Sequence, residues 1–271
     1  MTAMFALQLK LLINRVGLRM LGIIGGTGLA ALTDFQIGRR QIVRTPYGEP
    51  SGPLTFGEIA GKPVVFLPRH GNGHTIAPHM INYRANLWAL HAQGVQEIVA
   101  IATVGGIAPE LGPGTIAVPN QLIDYTHSRK STYFDGLSEN GFNQVKHIDF
   151  TVPYDQSLRA LCLKAADLVG EKLINGGVYA AAQGPRLETA AEINRFDRDG
   201  ATMVGMTGMP EAALARELEM RYAAICPVAN HAAGRGDSLH EIKYEEMSDI
   251  LHLTMGRVRG IIQQVVTLYG N

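Results

Sequence analysis

The sequence has no excess of either charge, few cysteines and no long apolar run, and each absence narrows the class of protein. Lys plus Arg and Asp plus Glu both number 24, so the summed charge offers no general attraction to nucleic acid or anionic lipid. Cys162 and Cys226 lack metal-ligand or redox-pair spacing, which predicts reduced core residues in a cytoplasmic protein. No apolar run approaches the roughly 20 residues that cross a bilayer. We therefore expect neither a nucleic-acid partner nor a membrane.

The first 19 residues are not predicted to be part of the fold. They are apolar, but basic residues interrupt them and no small-residue cleavage pattern follows, unlike a signal peptide. Met20 stands directly before the first convincing strand. We therefore expect residues 1–19 to be an N-terminal extension, and residues 20–271 to form one domain, because 46% hydrophobic residues suffice for a large core.

Short apolar runs alternate with longer helical patterns along the rest of the chain. Buried strands are predicted at 21–24, 64–67, 97–102, 114–118, 201–206 and 222–228. Helices are predicted at 82–93, 155–169, 188–198, 210–220 and 244–268. This order predicts a single-domain α/β fold, a three-layer sandwich around a mixed, mostly parallel sheet. Ligands of such sheets bind at the carboxyl ends of the strands.

Five clusters rich in glycine follow the predicted strands. They are GGTG (25–28), PRHGNGH (68–74), ATVGG (102–106), GMTGMPE (205–211) and ANHAAG (229–234). Glycines let backbone N–H groups approach a ligand closely, while threonine and arginine supply directed donors. The shared composition predicts one site assembled from several strands, with phosphate as the bound anion.

Two alternatives for these clusters are weaker. Residues 26–31 fit the loose G-x-G-x-x-A pattern of dinucleotide-binding folds, but the segment that follows is short for the crossover helix. The three histidines within 70–79 match no tight zinc spacing, and no cysteine or acidic cluster completes a ligand shell. A phosphate cradle with the Thr27 hydroxyl as donor, and no metal, is the simpler prediction.

Several side chains in these clusters have both a functional and an ordinary interpretation. Arg69 could hold two phosphate oxygens at once and His70 could donate a third bond, although a surface ion pair is the alternative. Thr103 and Thr207 end strands before glycine, which suits phosphate contact, but strand-terminal threonines more often form turns. Glu188 lies at a predicted helix start, where a capping carboxylate is the ordinary expectation.

The chain resembles the trimeric nucleoside phosphorylases, in particular the 5′-methylthioadenosine phosphorylase branch, in five ordered stretches: GIIGGTGL, TPYGEPSGPL, RHGNGHTIAPHMINYRANLWAL, AAQGPRLETAAE and GMTGMPEAALARE. The likeness runs from Leu21 to the C-terminal helix. It implies a nucleoside phosphorylase-like fold, a homotrimer and no cofactor. Inorganic phosphate is then a co-substrate that displaces a purine from a ribosyl group through an oxocarbenium-like transition state.

The resemblance also implies residue roles. Around phosphate it places Thr27, Arg69, His70, Ala102, Thr103 and Thr207, and against the ribose it places Met206. It implies that His147 reaches the site of a neighbouring subunit. The position that meets the 5′ substituent falls on Tyr244, with Met247 one turn further on; these form a mainly apolar wall that suits a methylthio group, although the phenol could bond a hydroxyl.

The base-reading positions depart from the methylthioadenosine branch. Relatives that read adenine have an aspartate at the position of Asn230, a second aspartate at Ala232 and a serine at Glu188. The residues present here resemble purine nucleoside phosphorylases that take 6-oxopurines. Glu188 can accept from N1–H, while Asn230 can donate to O6 and accept from N7 as that nitrogen becomes protonated. His231, between Asn230 and Ala232, is included among the predicted substrate-binding residues.

These features predict phosphorolysis of 5′-methylthioinosine to hypoxanthine and 5-methylthioribose 1-phosphate, with Asn230 as the catalytic contact to the leaving group. Phosphorylases of inosine or guanosine, and of methylthioadenosine, are the nearest alternatives. A nucleoside- and phosphate-binding module without turnover is the non-enzymatic alternative. It would keep the glycine loops but not the leaving-group residue, and the presence of Asn230 therefore favours an enzyme.

Overall fold

The computed structural model describes residues 19–26, 35–136 and 144–270. Within them the strands are β1 (Leu21–Gly25), β2 (Gln36–Gln41), β3 (Leu54–Ile59), β4 (Lys62–Pro68), β5 (Glu97–Ile101), β6 (Val104–Gly106), β7 (Ile116–Val118), β8 (Gln121–Asp124), β9 (Ile174–Asn175), β10 (Val178–Ala181), β11 (Met203–Gly205) and β12 (Arg221–His231). The helices are α1 (Tyr83–Ala92), α2 (Gln156–Leu168), α3 (Ala190–Arg198), α4 (Gly208–Glu217) and α5 (Tyr244–Leu268).

The strands form one mixed, mostly parallel sheet. Its order is β2-β3-β4-β1-β5-β12-β6-β11-β10-β8, with β7 paired to β12 and to β9. The strands β4, β1, β5, β12 and β6 are mutually parallel neighbours, as are β11, β10 and β8. The two parallel groups meet where β6 runs antiparallel to β11. The strands that precede or contain the predicted clusters are consecutive neighbours in the middle of this order, namely β4, β1, β5, β12, β6 and β11.

Helices cover both faces of this sheet. Leu87 and Leu90 of α1 belong to the same core cluster as Leu214 of α4. On the opposite face, Cys162 of α2 shares a second cluster with Ile262 of α5. The predicted three-layer α/β sandwich is therefore confirmed. The fold of this chain matches the alternation of apolar runs with amphipathic segments in its sequence.

Local signals explain where the helices begin. Asn82 caps α1 by accepting from the Ala85 N–H (3.1 Å), and Asp155 caps α2 by accepting from the Leu158 N–H (2.8 Å). Helix α5 has the predicted bounds. Residues 1–18 lie outside the described residues, so the predicted N-terminal extension stays a prediction.

The structure tests two expectations from composition, one about the cysteines and one about membrane-spanning segments. Both cysteines are buried and neither is in a disulfide, as predicted for core residues. No helix among the described residues is long and apolar enough to cross a membrane.

Candidate active site

The glycine-rich clusters converge on Arg69, at the end of β4. Its backbone N–H donates to the Gly25 carbonyl at the end of β1 (2.9 Å), and its Nη1 donates to the Ile101 carbonyl at the end of β5 (2.8 Å). Its Nε and Nη2 form a two-pronged pair with the carboxylate of Glu211 on α4 (2.7 and 2.8 Å). The ends of β1 and β5 and the predicted clusters at 68–74 and 205–211 are thus neighbours in space.

Burial and charge make this pair the most constrained part of the site. Arg69 is 2% exposed and Glu211 is 0% exposed, and the Tyr222 hydroxyl donates a further bond to Glu211 (2.8 Å). Burial alone would lower the pKa of the Arg69 guanidinium, but the charge of Glu211 and the bonds to it raise that pKa well above its usual range. Three of the five guanidinium N–H groups are used within the chain, so two remain for an anion.

His70 is held by a backbone carbonyl. Its Nδ1 lies 2.9 Å from the Ile76 carbonyl oxygen, so Nδ1 carries the proton and the neutral ring presents Nε2 as an acceptor. Burial lowers the pKa of His70 to about 4. The predicted side-chain donation to phosphate therefore requires the doubly protonated ring, which a bound anion would favour. The His74 ring stacks on His70 with centroids 4.3 Å apart.

The segment after β11 carries Met206 and Thr207. The Tyr179 hydroxyl accepts from the backbone N–H groups of Thr207 (3.2 Å) and Gly208 (3.3 Å). The Thr207 side chain precedes α4 without acting as its cap, and it is buried. Met206 packs against Gly184, where a Cβ atom would collide with the methionine sulfur. This glycine, with φ +62°, lets the loop after β10 approach the predicted ribose contact.

The remaining predicted phosphate ligands differ in exposure. Ala102 is buried, and its N–H donates to the Ile225 carbonyl (3.1 Å). Thr103, between β5 and β6, is exposed. Thr27 lies outside the described residues. The structure therefore brings strand ends to the Arg69 side chain, and Thr103 is the exposed residue among the described members of the predicted phosphate set.

Asn230 lies near the end of β12, after an irregularity in its pairing with β6 between Val228 and Asn230. Its Nδ2 donates to the His231 carbonyl (2.6 Å), which fixes the orientation of the amide and leaves its second N–H and its Oδ1 facing other partners. The His231 Nδ1 lies 3.3 Å from the Asp237 backbone nitrogen and 3.6 Å from the Asp237 carboxylate. Ala232 is 1% exposed within an apolar cluster.

Glu188 is not the cap of the helix that follows it. Helix α3 begins at Ala190, not at 188 as predicted, because Thr189 is the N-cap and forms a capping box with Glu192. Glu188 is half-buried, and burial raises the pKa of its carboxyl. With the capping role taken by two other side chains, this carboxylate can serve a ligand.

The Glu188 and Asn230 segments adjoin through the loop after β12. A Cβ on Gly234 would lie 2.8 Å from the Cβ of Ala190, the first residue of α3. Arg235 binds the same helix through Asn194 (2.9 Å) and Asp197 (3.0 Å). The loop that follows Asn230 is therefore fixed against the start of α3, directly after Glu188.

The side chains predicted to contact the 5′ substituent of the substrate are only partly covered in the single chain. Tyr244 is the first residue of α5 and is 64% exposed, while Met247 is half-buried. His147 is exposed, as is neighbouring Val145. These predicted contacts are the least covered of the site.

Sequence reasoning missed two charged residues of this region. Glu211 lies within the quoted GMTGMPE cluster, and its negative charge beside a predicted anion ligand was the available signal. Arg129 follows β8 in a stretch without a pattern, and it binds the backbone of the loops after β10 and β11. Among the described residues no group of three or more His, Cys, Asp or Glu side chains is placed to hold a metal ion.

Comparison with known proteins relates this geometry to one family. The model of the phosphorylase superfamily matches residues 20–267. The chain is 48% identical to a probable S-methyl-5′-thioinosine phosphorylase of Pseudomonas syringae, over 90% of this chain and 97% of that protein. It is 44% identical to a purine nucleoside phosphorylase of Streptomyces coelicolor, covering 91% and 88%. A methylthioadenosine phosphorylase of Schistosoma mansoni in complex with adenine has a TM-score of 0.85 at 30% identity, covering 93% and 92%.

Proposed function

The chain belongs to the phosphorylase superfamily and is a pentosyltransferase, and we propose that its substrate is 5′-methylthioinosine. Phosphate would displace hypoxanthine and leave 5-methylthioribose 1-phosphate. The name of the Pseudomonas syringae relative supports this substrate, and the name of the Streptomyces coelicolor relative keeps inosine and guanosine as the nearest rivals.

The pair formed by Asn230 and Glu188 carries the proposal. An amide with a free N–H and a free oxygen matches the O6 and N7 edge of a 6-oxopurine, and a carboxylate matches its N1–H. Adenine would instead present an amino group and a lone pair to these side chains. Ala232, packed in an apolar cluster, supplies no carboxylate in compensation. Each mispaired buried group costs about 1 to 3 kcal/mol, so two mismatches shift preference by orders of magnitude.

The reaction needs a positioned nucleophile and a stabilised leaving group. We propose that Arg69, His70, Thr207 and the backbone around Ala102 and Thr103 hold phosphate below the sugar, with Thr27 completing the cradle. A phosphate oxygen bonds to C1′ as the bond from C1′ to N9 breaks. The electron pair passes into the purine, N7 takes a proton from water, and the Asn230 oxygen accepts the resulting N–H. Met206 packs against the ribose.

We propose further that the active form is a homotrimer in the cytoplasm that uses phosphate as co-substrate and no cofactor. The exposure of His147, Val145 and Tyr244 supports a second copy that covers the 5′ end of the substrate. Light scattering at working concentrations measures the oligomer, and a monomer that turns over at full rate would exclude the shared site.

The test of the substrate is a comparison of kcat/KM for methylthioinosine, methylthioadenosine and inosine with phosphate present. We expect methylthioinosine to be the best substrate, and methylthioadenosine to be at least tenfold poorer, because about 1.4 kcal/mol per mispaired group corresponds to tenfold. Efficient cleavage of the adenine nucleoside would refute the base assignment, and a preference for inosine would replace the methylthio assignment.

A second experiment exchanges the base readers. The triple variant Asn230→Asp, Ala232→Asp, Glu188→Ser should move the ratio of kcat/KM toward methylthioadenosine by tenfold or more. Ala232→Ser alone is the matched control, because it alters the same buried position without adding a charge. An unchanged ratio in the triple variant would mean that other residues read the base.

A further inference from the structure

Arg129 has an unusual set of partners for a charged residue. It is half-buried, and its Nη1 donates to the carbonyls of Met209 (2.6 Å) and Met206 (2.9 Å). Its Nη2 donates to the carbonyl of Gln183 (2.8 Å) and, at 3.3 Å, to that of Ala182. Its Nε donates to the side-chain oxygen of Gln183 (3.1 Å).

The sixth partner is the Tyr83 hydroxyl, which lies 3.2 Å from Nη1 and donates its own hydrogen to the Pro78 carbonyl (2.9 Å). All six acceptors are neutral. No carboxylate in the described part of the chain lies within salt-bridge distance of Arg129, whereas Arg69 is neutralised by Glu211. The half-buried Arg129 charge is thus held by neutral groups, namely five carbonyl oxygens and the hydroxyl of Tyr83, whose ring centroid lies 5.4 Å from the guanidinium carbon.

These carbonyls belong to the loops that carry the two halves of the proposed site. Ala182 and Gln183 directly follow β10 and lead to Glu188, the proposed base reader. The segment from Met206 to Met209 directly follows β11 and contains Thr207. Strands β10 and β11 are parallel neighbours, so one planar guanidinium spans the adjacent carboxyl ends of both.

We infer that Arg129 is a positioning residue that fixes the base-reading loop relative to the ribose and phosphate loop. The inference rests on the proposed function. Both loops have irregular backbone, and no strand pairing sets their separation beyond Ala181 and Gly205. A guanidinium offers five N–H groups in a rigid plane, which a lysine ammonium cannot reproduce. Without this link, the bond from the Ala182 N–H to the Gly205 carbonyl (2.8 Å) and the packing of Met206 on Gly184 still join the loops, but Glu188 and Met206 can shift relative to each other while the sheet beneath them stays intact.

Arg159 provides a matched control. Its acceptors within the described residues are also neutral, namely the carbonyls of Pro119 (2.8 Å) and Val118 (3.1 Å) and the side chains of Asn175 (2.7 Å) and Gln156 (2.9 Å). None of these residues belongs to the proposed site. Arg159→Lys therefore removes a carbonyl-binding guanidinium elsewhere in the domain, on α2, without touching the loops at issue.

The experiment compares Arg129→Lys with Arg159→Lys, using the nucleoside that the wild-type enzyme cleaves best. Misplacing reacting groups by about 1 Å costs on the order of 100-fold, so we expect kcat/KM of Arg129→Lys to fall about 100-fold. We expect kcat to fall, and KM to rise for both phosphate and nucleoside, because both loops shift. Arg159→Lys should lower Tm by a similar amount but keep kcat/KM within about threefold of wild type.

A second variant guards against misfolding of the first. In Arg129→Ala, added guanidinium chloride at non-denaturing concentration should restore part of the lost kcat, because the free ion can occupy the vacated place. Equal kcat/KM for the two lysine variants, or a change confined to the phosphate KM, would overturn the positioning role. A wild-type enzyme that cleaves no nucleoside of the panel would instead refute the proposed function, so the two failures are distinguishable.

Discussion

The two halves of the proposed site differ in how completely a single chain builds them. On the phosphate side, Arg69, His70, Ala102 and Thr207 are all buried, and Arg69 has its counter-charge within the chain. On the purine and 5′ side, Glu188, Asn230 and Met247 are half-buried, and Tyr244 and His147 are exposed. The residues of the first half directly follow strands β4, β5 and β11, whereas in the second half only Asn230 lies on a strand and the other residues lie on loops and at the start of α5.

This difference indicates a division of tasks. A buried, paired guanidinium is preorganised, so binding of the proposed phosphate would require little reorganisation. The open half can admit a nucleoside, and in the proposed oligomer it would gain dry surroundings only when the ligand and a second copy cover it. Electrostatic contacts are stronger without water. The proposed contacts of Glu188 and Asn230 with the purine would therefore strengthen only after the site has closed. Catalysis would then depend on rigidity in one half and on closure of the other.

The largest expected effect comes from breaking the buried half. Glu211→Gln leaves the Arg69 charge in the interior without a counter-charge. Losing one partner of a buried ion pair typically destabilises by about 3 to 5 kcal/mol, and we expect a loss of that size in the free energy of unfolding, measured with urea at neutral pH.

The matched control for that change is Glu246→Gln in the exposed pair with Lys243, whose partners are 63% and 62% exposed. An exposed pair contributes at most about 1 kcal/mol, so this variant should unfold almost as the wild type does. Inorganic phosphate should stabilise Glu211→Gln more than the wild type, because an anion beside Arg69 replaces the lost charge. Equal destabilisation by both variants would show that the interior pair is not the constraint that its burial indicates.

Lowering the pH tests the phosphate side of the site through His70, with a smaller expected effect than that of Glu211→Gln. The folded protein lowers the pKa of His70 from 6.5 to about 4, so the folded state binds the proton less readily than the unfolded state. The associated stability is fully present above about pH 6.5 and is lost as pH falls toward 4. The full shift corresponds to about 3 to 4 kcal/mol.

His70→Gln keeps a donor for the Ile76 carbonyl but cannot titrate. The difference in unfolding free energy between wild type and His70→Gln should therefore change by about 2 to 3 kcal/mol between pH 7 and pH 4. Phosphate should reduce that change, because a neighbouring anion favours the protonated ring. Parallel stability curves for the two proteins would mean that His70 is not buried in the neutral form.

Sequence predicted the buried half better than the open one, and the reason is physical. Apolar runs such as that of β5 predict a central parallel strand, and its end locates Ala102 without knowledge of the fold. Strand β2, with the exposed sequence QIGRRQ, has no buried face to leave a pattern, so it was missed. Strand β6 was interpreted as a loop because two of its three residues are glycine, and Gly106 is required where a Cβ would collide with the Leu111 carbonyl oxygen.

The site residues show the same limit. Arg69 and Asn230 could be nominated because each follows a recognisable strand. Arg129 could not be nominated, because the carbonyls that it binds are more than 50 residues away in sequence. Backbone acceptors are present at every residue, so the sequence does not indicate which of them an arginine will bind. Glu188 was predicted to lie on a helix that in fact starts two residues later, at Ala190. The capping box of Thr189 and Glu192 sets that start, and its residues are equally compatible with the interior of a helix.

The smallest expected effect concerns the open half. Tyr244 is largely exposed at the start of α5, so Tyr244→Phe should alter the free energy of unfolding by less than about 0.5 kcal/mol. If the ring acts as an apolar wall, this variant should keep kcat/KM for methylthioinosine and inosine within about twofold, whereas Tyr244→Ala should lower the methylthioinosine value about tenfold by exposing the thioether. A hydrogen bond from the phenol to a 5′-hydroxyl would instead make Tyr244→Phe lose roughly fivefold or more on inosine alone, since such a bond contributes about 1 kcal/mol. The ratio of the two substrates in this one variant therefore separates an apolar wall from a hydroxyl reader, and a reader would shift the proposed preference toward inosine.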